Sequence, residues 1–373
     1  MTDDILPEPD RIDGAPHPRD TVRLFGQDAA QQAFLEAFNA HHLHHAWLIT
    51  GPKGTGKATL AWAIARFLLA TPRDDGDALF GAPPPVDSLA IDPEHPVARR
   101  MRAGSESGLF VLRRPYDDKT KRLRQEITVE EARKMKGFFA MSAADGGRRV
   151  VIVDAADELN TSAANAILKI LEEPPRDTTI LLIAHQPSAL LPTIRSRCRE
   201  LRLAPLGPAD IAAALAQAGI DPAADTDALS ALAAGSAGEA VRLSVLGGPQ
   251  IYAELVRLFD TLPRLDRSHA LSLAEAAAAR GAEDKRALLA SLTDLFLSRV
   301  ARTGALGQPP LPEAAPGEAA LLARLAPNAH AARRWAEAAQ EIGARSRHGT
   351  AVNLDPAALI LDTLFKIQKT AAA

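Results

Sequence analysis

A single cysteine, Cys198, stands among 373 residues. It excludes an internal disulfide framework and any multi-cysteine zinc site, and it accords with a reducing compartment. No apolar run reaches the roughly 18 residues that a membrane-spanning helix needs. The opening stretch, MTDDILPEPDRIDGAPHPRD, is acidic and proline-bearing, unlike a signal peptide. A soluble, cytoplasmic protein is therefore expected. Excess positive charge is also missing: the formal net charge is −3, so no global basic field argues for nucleic-acid binding. What the chain does have is apolar mass. At 47% hydrophobic it can bury a sizeable core spread over two or three domains.

Residues 1–20 are polar, carry several prolines and few large apolar groups, and are expected to stay disordered. Order is expected to begin near Val22. A helical pattern through QDAAQQAFLEAFNA places Ala30, Phe34, Ala37 and Phe38 on one face, followed by the short apolar run HHAWLIT. A glycine-rich loop comes next, and ATLAWAIARFLLA after it has the pattern of a helix. From 71 to 124 the chain is irregular, broken by one strand-like run, GLFVLRR. A helix over 128–140 leads to the fully apolar run Val150–Val153, then to the helix TSAANAILKILEE with Thr161 or Ser162 as its cap, then to the buried strand in TTILLIAHQP. Strands alternating with helices predict an α/β domain over 21–204, a parallel sheet covered by helices on both faces. Beyond Pro205 the texture becomes alanine- and leucine-rich at helical spacing, which predicts a small helical unit over 205–247 and a larger all-α unit over 248–373. The stretch RTGALGQPPLPEAAPGE is expected to be a long exposed loop within the latter.

The glycine-rich loop is GPKGTGKAT, Gly51 to Thr59. In a phosphate loop, glycines let backbone N–H groups turn inward around the phosphates, the following helix adds partial positive charge, and a lysine reaches the outer phosphates. Gly51, Gly54, Gly56 and Lys57 satisfy those needs. The residue after the lysine should be Ser or Thr, whose hydroxyl holds Mg²⁺. It is Ala58, and Thr59 leaves the helix about 100° away. The loop is thus expected to hold phosphate weakly, as ATP or ADP, with a damaged magnesium site.

A second element, an apolar strand ending in an acid that supports Mg²⁺, is present as Val150-Val151-Ile152-Val153-Asp154. The position of the water-polarising base is Ala155. Asp157 and Glu158 follow, but a strand end presents only one or two side chains at the carboxyl edge of a sheet, so they are expected to be helix-start or loop acids. The cluster His41, His42, His44 and His45 is expected to form an exposed turn with His45 packed, not a metal site. Cys198 has no paired histidine and reads as a small packed side chain.

The segments RRVVIVDAADELNTSAANAILKILEEPP and LLIAHQPSALLPTIRSRCREL resemble the bacterial DNA polymerase III clamp-loader family, with its NALLK-LEEPP helix and Ser-Arg-Cys tripeptide. The resemblance runs from about Phe25 to Leu203, and its delta-prime branch, whose nucleotide motifs are commonly degraded, is the nearest. It implies a P-loop domain of the AAA+ class, a small helical lid and a helical collar through which five subunits assemble. It further implies that Arg197, of Ser196-Arg197-Cys198, projects into a neighbouring subunit's nucleotide site. A guanidinium supplied in trans stabilises the charge spread over a transferred phosphoryl group. Alone, Arg197 would read as a surface arginine like Arg195 and Arg199.

Active members of the family resemble GSLRDAL in the lid, where an arginine touches phosphate. This chain has GSAGEAV, with Gly238 at that position and Arg242 one turn on. Delta-prime relatives often carry a four-cysteine zinc module after the first helix; 71–124 occupies that place without the cysteines, so no zinc is expected. The resemblance implies gamma/tau-type and delta-type partners, with the sliding clamp and primed DNA reached through the complex, and no membrane. Two rival functions remain open at the level of sequence. One is an active motor subunit, with Thr59 and Asp157 standing in for the lost groups; the other is a self-assembling AAA+ DNA-remodelling ATPase.

Overall fold

The computed structural model describes residues 7–72, 84–140, 147–221 and 226–373. The sheet grows from the apolar runs. Strands β1 (Ala46–Thr50), β2 (Leu109–Arg113), β5 (Arg149–Asp154), β6 (Thr178–Ala184) and β7 (Arg199–Arg202) form one five-stranded sheet in the order β2-β5-β6-β1-β7, with every pairing parallel. A two-residue antiparallel pair, β3 (Tyr116–Asp117) and β4 (Arg122–Leu123), lies in the 71–124 stretch. The central strands β1 and β6 are buried at every position, as expected where helices cover both faces.

Successive side chains of a strand point to opposite faces, and β5 divides accordingly. Val150 and Ile152 join one core with Phe34 of α1 (Asp28–Asn39) and Leu60, Ile64 and Leu68 of α2 (Lys57–Ala70). On the other side, Val151 and Val153 pack with Met135 of α4 (Val129–Ala140) and Ile167 and Leu171 of α5 (Thr161–Glu172). Each such fully buried aliphatic side chain contributes about 1.5–3 kcal/mol over its exposed state. Short α3 (Pro96–Arg102) is added to the α2 face through Val97 and Met101. The expected α/β architecture, a parallel sheet covered by helices, is present.

Three local features depart from the sequence reading. The cap of α5 is Asn160, whose side chain accepts the N–H of Ala163 at 2.9 Å; Thr161 and Ser162 lie already inside the helix. Strand β7 follows α6 (Pro192–Arg195) and carries no apolar run: only Leu201 is buried, while Glu200 accepts the Thr50 hydroxyl at 2.6 Å and Arg199 stacks over Trp47.

The third change concerns the N-terminus. Residues 1–6 lie outside the described residues, but 7–20 are not the disordered extension expected. Their order comes from charge pairing instead of apolar burial. Asp10 accepts hydrogen bonds from Trp62 Nε1 at 3.2 Å and Arg113 Nη1 at 2.9 Å. Glu8 pairs with Arg113 at 2.5 Å and with Arg19 at 2.9 Å. His17 Nδ1 accepts the N–H of Arg19, so Nε2 carries the proton and faces Glu8 at 3.1 Å and Asp10 at 3.3 Å. Arg66 of α2 donates to the Arg19 carbonyl at 2.6 Å.

The chain divides into two compact units: residues up to Ala218 together with Gly235–Gly238, and Gly219–Ala234 together with Glu239–Ala373. This division differs from the boundary expected at 205, because α7 (Pro208–Gln217) belongs with the sheet. Gln217 exchanges hydrogen bonds with the backbone of Arg23 at 3.0 Å in each direction.

The second unit is all helix: α8 (Thr226–Ala233), most of α9 (Ala237–Leu246), α10 (Gly248–Asp260), α11 (Arg267–Ala278), α12 (Glu283–Leu306), α13 (Glu318–Leu325), α14 (Ala329–Ala351) and α15 (Pro356–Ala372). Tyr252, Phe259, Phe296 and Trp335 fill its core. The stretch expected as a long exposed loop is only partly so. Leu311 is exposed, but Ala314 and Ala315 are buried, and buried Glu318 anchors the loop's end. Its carboxylate accepts from Tyr252 Oη at 2.6 Å, Arg299 Nε at 2.6 Å and the N–H of Ala314 at 2.7 Å. Among the described residues, no helix is long and apolar enough to cross a membrane.

Candidate functional site

The loop Gly51–Gly56 joins β1 to α2 at the carboxyl edge of the sheet, where ligands bind in open α/β folds. Gly51, Gly54 and Gly56 all have positive φ. Buried Gln27 fixes the loop from outside: its side-chain amide donates to the carbonyls of Thr55 at 3.2 Å and Ala204 at 2.8 Å and accepts from the N–H of Ala204 at 3.1 Å. Lys57, only 3% exposed, does not extend outward. Its ammonium donates to the loop's own carbonyls, Gly51 at 2.7 Å and Pro52 at 2.6 Å. Burial pulls its pKa down to about 8 against the opposing pull of Asp154 and Asp157.

Asp154 ends β5 and is buried. Burial, followed by the neighbouring charges of Asp10 and Glu158, pushes its carboxyl up to about 7, with Arg113 and Lys57 opposing. Arg113 lies directly across from it in the β2–β5 register. Lys57 and Asp154, two of the sequence-predicted residues, are therefore brought together. Ala58 packs partly against the core and Ala155 is buried; neither position supplies an oxygen. Thr59 stands one residue further round α2.

Asp157 and Glu158 have structural partners, in line with the expectation for them. The Asp157 carboxylate accepts the N–H groups of His185 at 3.1 Å and Gln186 at 3.0 Å, and Glu158 pairs with Arg114 at 2.7 Å. His185 is the residue that motif reading misses. It immediately follows β6, so it arrives at the same sheet edge as Asp154. Its pKa is lowered to about 4 by burial and by the positive charges of Lys57, Lys53 and Arg114, with Asp157 opposing. Its Nδ1 is buried without a protein partner. Its place after an apolar strand is the signal that would have found it, since strand ends feed this edge.

The lid position Gly238 donates its N–H to the carbonyl of Gly54 at 3.0 Å. A Cβ at Gly238 would come within 2.7 Å of Ile12 Cδ1 and 3.2 Å of Gly54 Cα, and one at Gly54 within 2.1 Å of Ser236 Oγ. The two backbones approach as closely as they do because neither residue has a side chain. Arg242 is engaged within α9, bidentate to Glu239 at 2.6 and 2.9 Å.

Arg197 lies between α6 and β7, outside the phosphate loop. It donates to the Thr193 carbonyl at 3.0 Å and pairs with Glu172 at 2.9 Å, the two side chains 37% and 44% exposed. Such an exposed pair contributes about 0–1 kcal/mol and is readily exchanged for another anion. Next to it, burial pushes the Cys198 thiol up to about 12, which keeps it protonated. Of the histidine cluster, His44 and His45 stack on each other, and His45 Nε2 meets the Leu171 carbonyl at 3.0 Å. Among the described residues, no group of three or more His, Cys, Asp or Glu side chains is disposed to hold a metal ion.

Residues 26–207 match the protein family described as DNA polymerase III, delta subunit. DNA polymerase III subunit delta' of Pseudomonas aeruginosa is 37% identical over 230 residues, 61% of this chain and 64% of that one. This chain belongs to the bacterial DNA polymerase III clamp-loader family. Subunit delta' of Bacillus subtilis is 29% identical over 52% of this chain and 53% of its own length. Subunit gamma/tau of Mycobacterium bovis is also 29% identical, over 54% of this chain and 31% of the relative. The match thus spans less than two thirds of the length of each of these relatives, and it relates the chain to both delta' and gamma/tau subunits. The parallel AAA+-like core and all-helical collar agree with that membership.

Proposed function

We propose that this chain is a delta-prime-type subunit of the clamp loader, without ATPase activity of its own, that supplies Arg197 in trans to a neighbouring motor subunit. It joins gamma/tau-type and delta-type subunits in a five-membered ring and helps load the sliding clamp on primed DNA. The observation that carries this reading is a contrast within one chain. The local phosphate loop has its lysine turned onto its own carbonyls and Gly238 against Gly54, while Arg197 is partly exposed and held by a surface pair with Glu172 and a hydrogen bond to the Thr193 carbonyl. The first arrangement disfavours hydrolysis here, and the second suits donation next door. No cofactor is required for this role; weak ATP or ADP binding is compatible with it.

The motor-subunit alternative draws on the likeness to gamma/tau. It needs Asp157 as a stand-in acid, and that carboxylate is already engaged by two backbone N–H groups. ATP turnover by the purified chain with Mg²⁺ decides between the two. The delta-prime reading expects none; turnover that disappears in Lys57→Ala would establish the motor reading. Rebuilding the loader with Arg197→Ala tests the trans role, which expects a large loss of clamp-stimulated ATPase.

A further inference from the structure

The segment 7–20 lies against the candidate nucleotide site without belonging to any motif. Two of its four acids, Glu8 and Asp10, are largely shielded from solvent. The Asp10 side chain is 1% exposed and that of Glu8 12%. Both hold Arg113, the cation set across from Asp154 at the end of β2. Between these anchors and His17, Ile12 reaches the lid: a Cβ at Gly238 would come within 2.7 Å of its Cδ1. Gly238 in turn is hydrogen-bonded to Gly54 of the phosphate loop. The contacts therefore stack in series: acid anchor, Ile12, lid backbone, loop backbone. At the bottom of the stack Lys57 is turned inward to the loop's carbonyls.

We propose that residues 7–20 form an autoinhibitory strap that holds the phosphate loop closed against a nucleoside triphosphate, and that releasing the strap opens the loop. A triphosphate needs the inward-facing loop N–H groups and Lys57. To reach them it must lift Gly238 from Gly54, and that motion runs into Ile12. Nucleotide affinity is thereby reduced by the fraction of chains with the strap released. This device does not rest on the trans role of Arg197, and either result for Arg197→Ala leaves it standing or falling on its own test.

The test uses the full chain and a fluorescent ATP analogue, with binding followed by anisotropy. Glu8→Ala/Asp10→Ala removes both anchors; Ile12→Ala, made separately, leaves the anchors and thins the wedge. With an anchored fraction of about 90–99%, release tightens the apparent Kd by about 10- to 100-fold. The double variant is expected in that range, Ile12→Ala between it and the native chain, and the gain is expected to vanish when Lys57→Ala is added. The proposal is overturned if the folded variants, judged by circular dichroism, bind no more tightly than the native chain. It is equally overturned if the gain survives Lys57→Ala, because the added binding would then lie elsewhere. Should the double variant fail to fold, Ile12→Ala decides alone.

Discussion

The carboxylate of Asp157 ties the loop after β5 to the end of β6 by accepting the N–H groups of His185 and Gln186, at 3.1 and 3.0 Å. Hydrogen bonds to a charged acceptor contribute about 1.5–3 kcal/mol. Asp157→Ala is therefore expected to lower the unfolding free energy by about that much in a urea titration. If Asp157 served hydrolysis, the same substitution would instead change ATP turnover in a loader whose fold was intact.

Glu318, Arg299 and Tyr252 form a buried cluster in the helical unit, with Glu318 the shared acceptor. Glu318→Ala leaves the Arg299 guanidinium buried without its counter-charge. Breaking such a pair from one side costs about 3–5 kcal/mol. A thermal melt is expected to show a large drop for Glu318→Ala and a smaller one for Tyr252→Phe, which removes one neutral donor.

Arg197→Ala is expected to move stability by no more than about 1 kcal/mol, since the Glu172 pair it removes is exposed. Its effect belongs in the assembled loader. Trans arginines in GTPases contribute about 10³ to 10⁵ in rate, so ATPase by the rebuilt complex should fall by orders of magnitude while the isolated chain melts as before. A loader that turns over normally with Arg197→Ala would remove the trans role.

Two buried groups in the candidate site titrate in opposite senses. Asp154 is raised from an ordinary 3.8 to about 7, so the folded chain holds its proton longer, and this carboxyl subtracts stability as pH climbs from about 4 to about 7. His185 is lowered from 6.5 to about 4, so the unfolded chain binds the extra proton, and stability rises between about 4 and 6.5. The two oppose each other across that window in the native chain. Asp154→Asn removes the first, and is expected to be more stable than the native chain at pH 8 but not at pH 4. Denaturant titrations at the two pH values check the sign.

The central strands and their flanking helices were legible because each is an apolar run or an apolar stripe. The phosphate loop was legible for a different reason: its chemistry needs glycines and a lysine at fixed spacing. Strand β7 was not, since an edge strand with only Leu201 buried carries charged side chains that resemble a loop. The N-terminal segment escaped for the same reason on a longer scale. Its Glu8 and the partner Arg113 are 105 residues apart, and composition cannot foresee an ion pair that only the fold assembles. His185 was hidden by lacking any motif. Sequence could say that oxygens were missing at Ala58 and Ala155, but not that the lysine beside them had folded back on its own loop.

Gly238 began as an absence, the place where an arginine was not. In the structure its bareness is occupied: Ile12 presses from one side and the backbone of Gly54 from the other. A single substitution that put arginine back would meet both before its guanidinium touched anything. An arginine at this position would therefore function as a lid contact only together with a second change that makes room, at Ile12 or in the loop at Gly54.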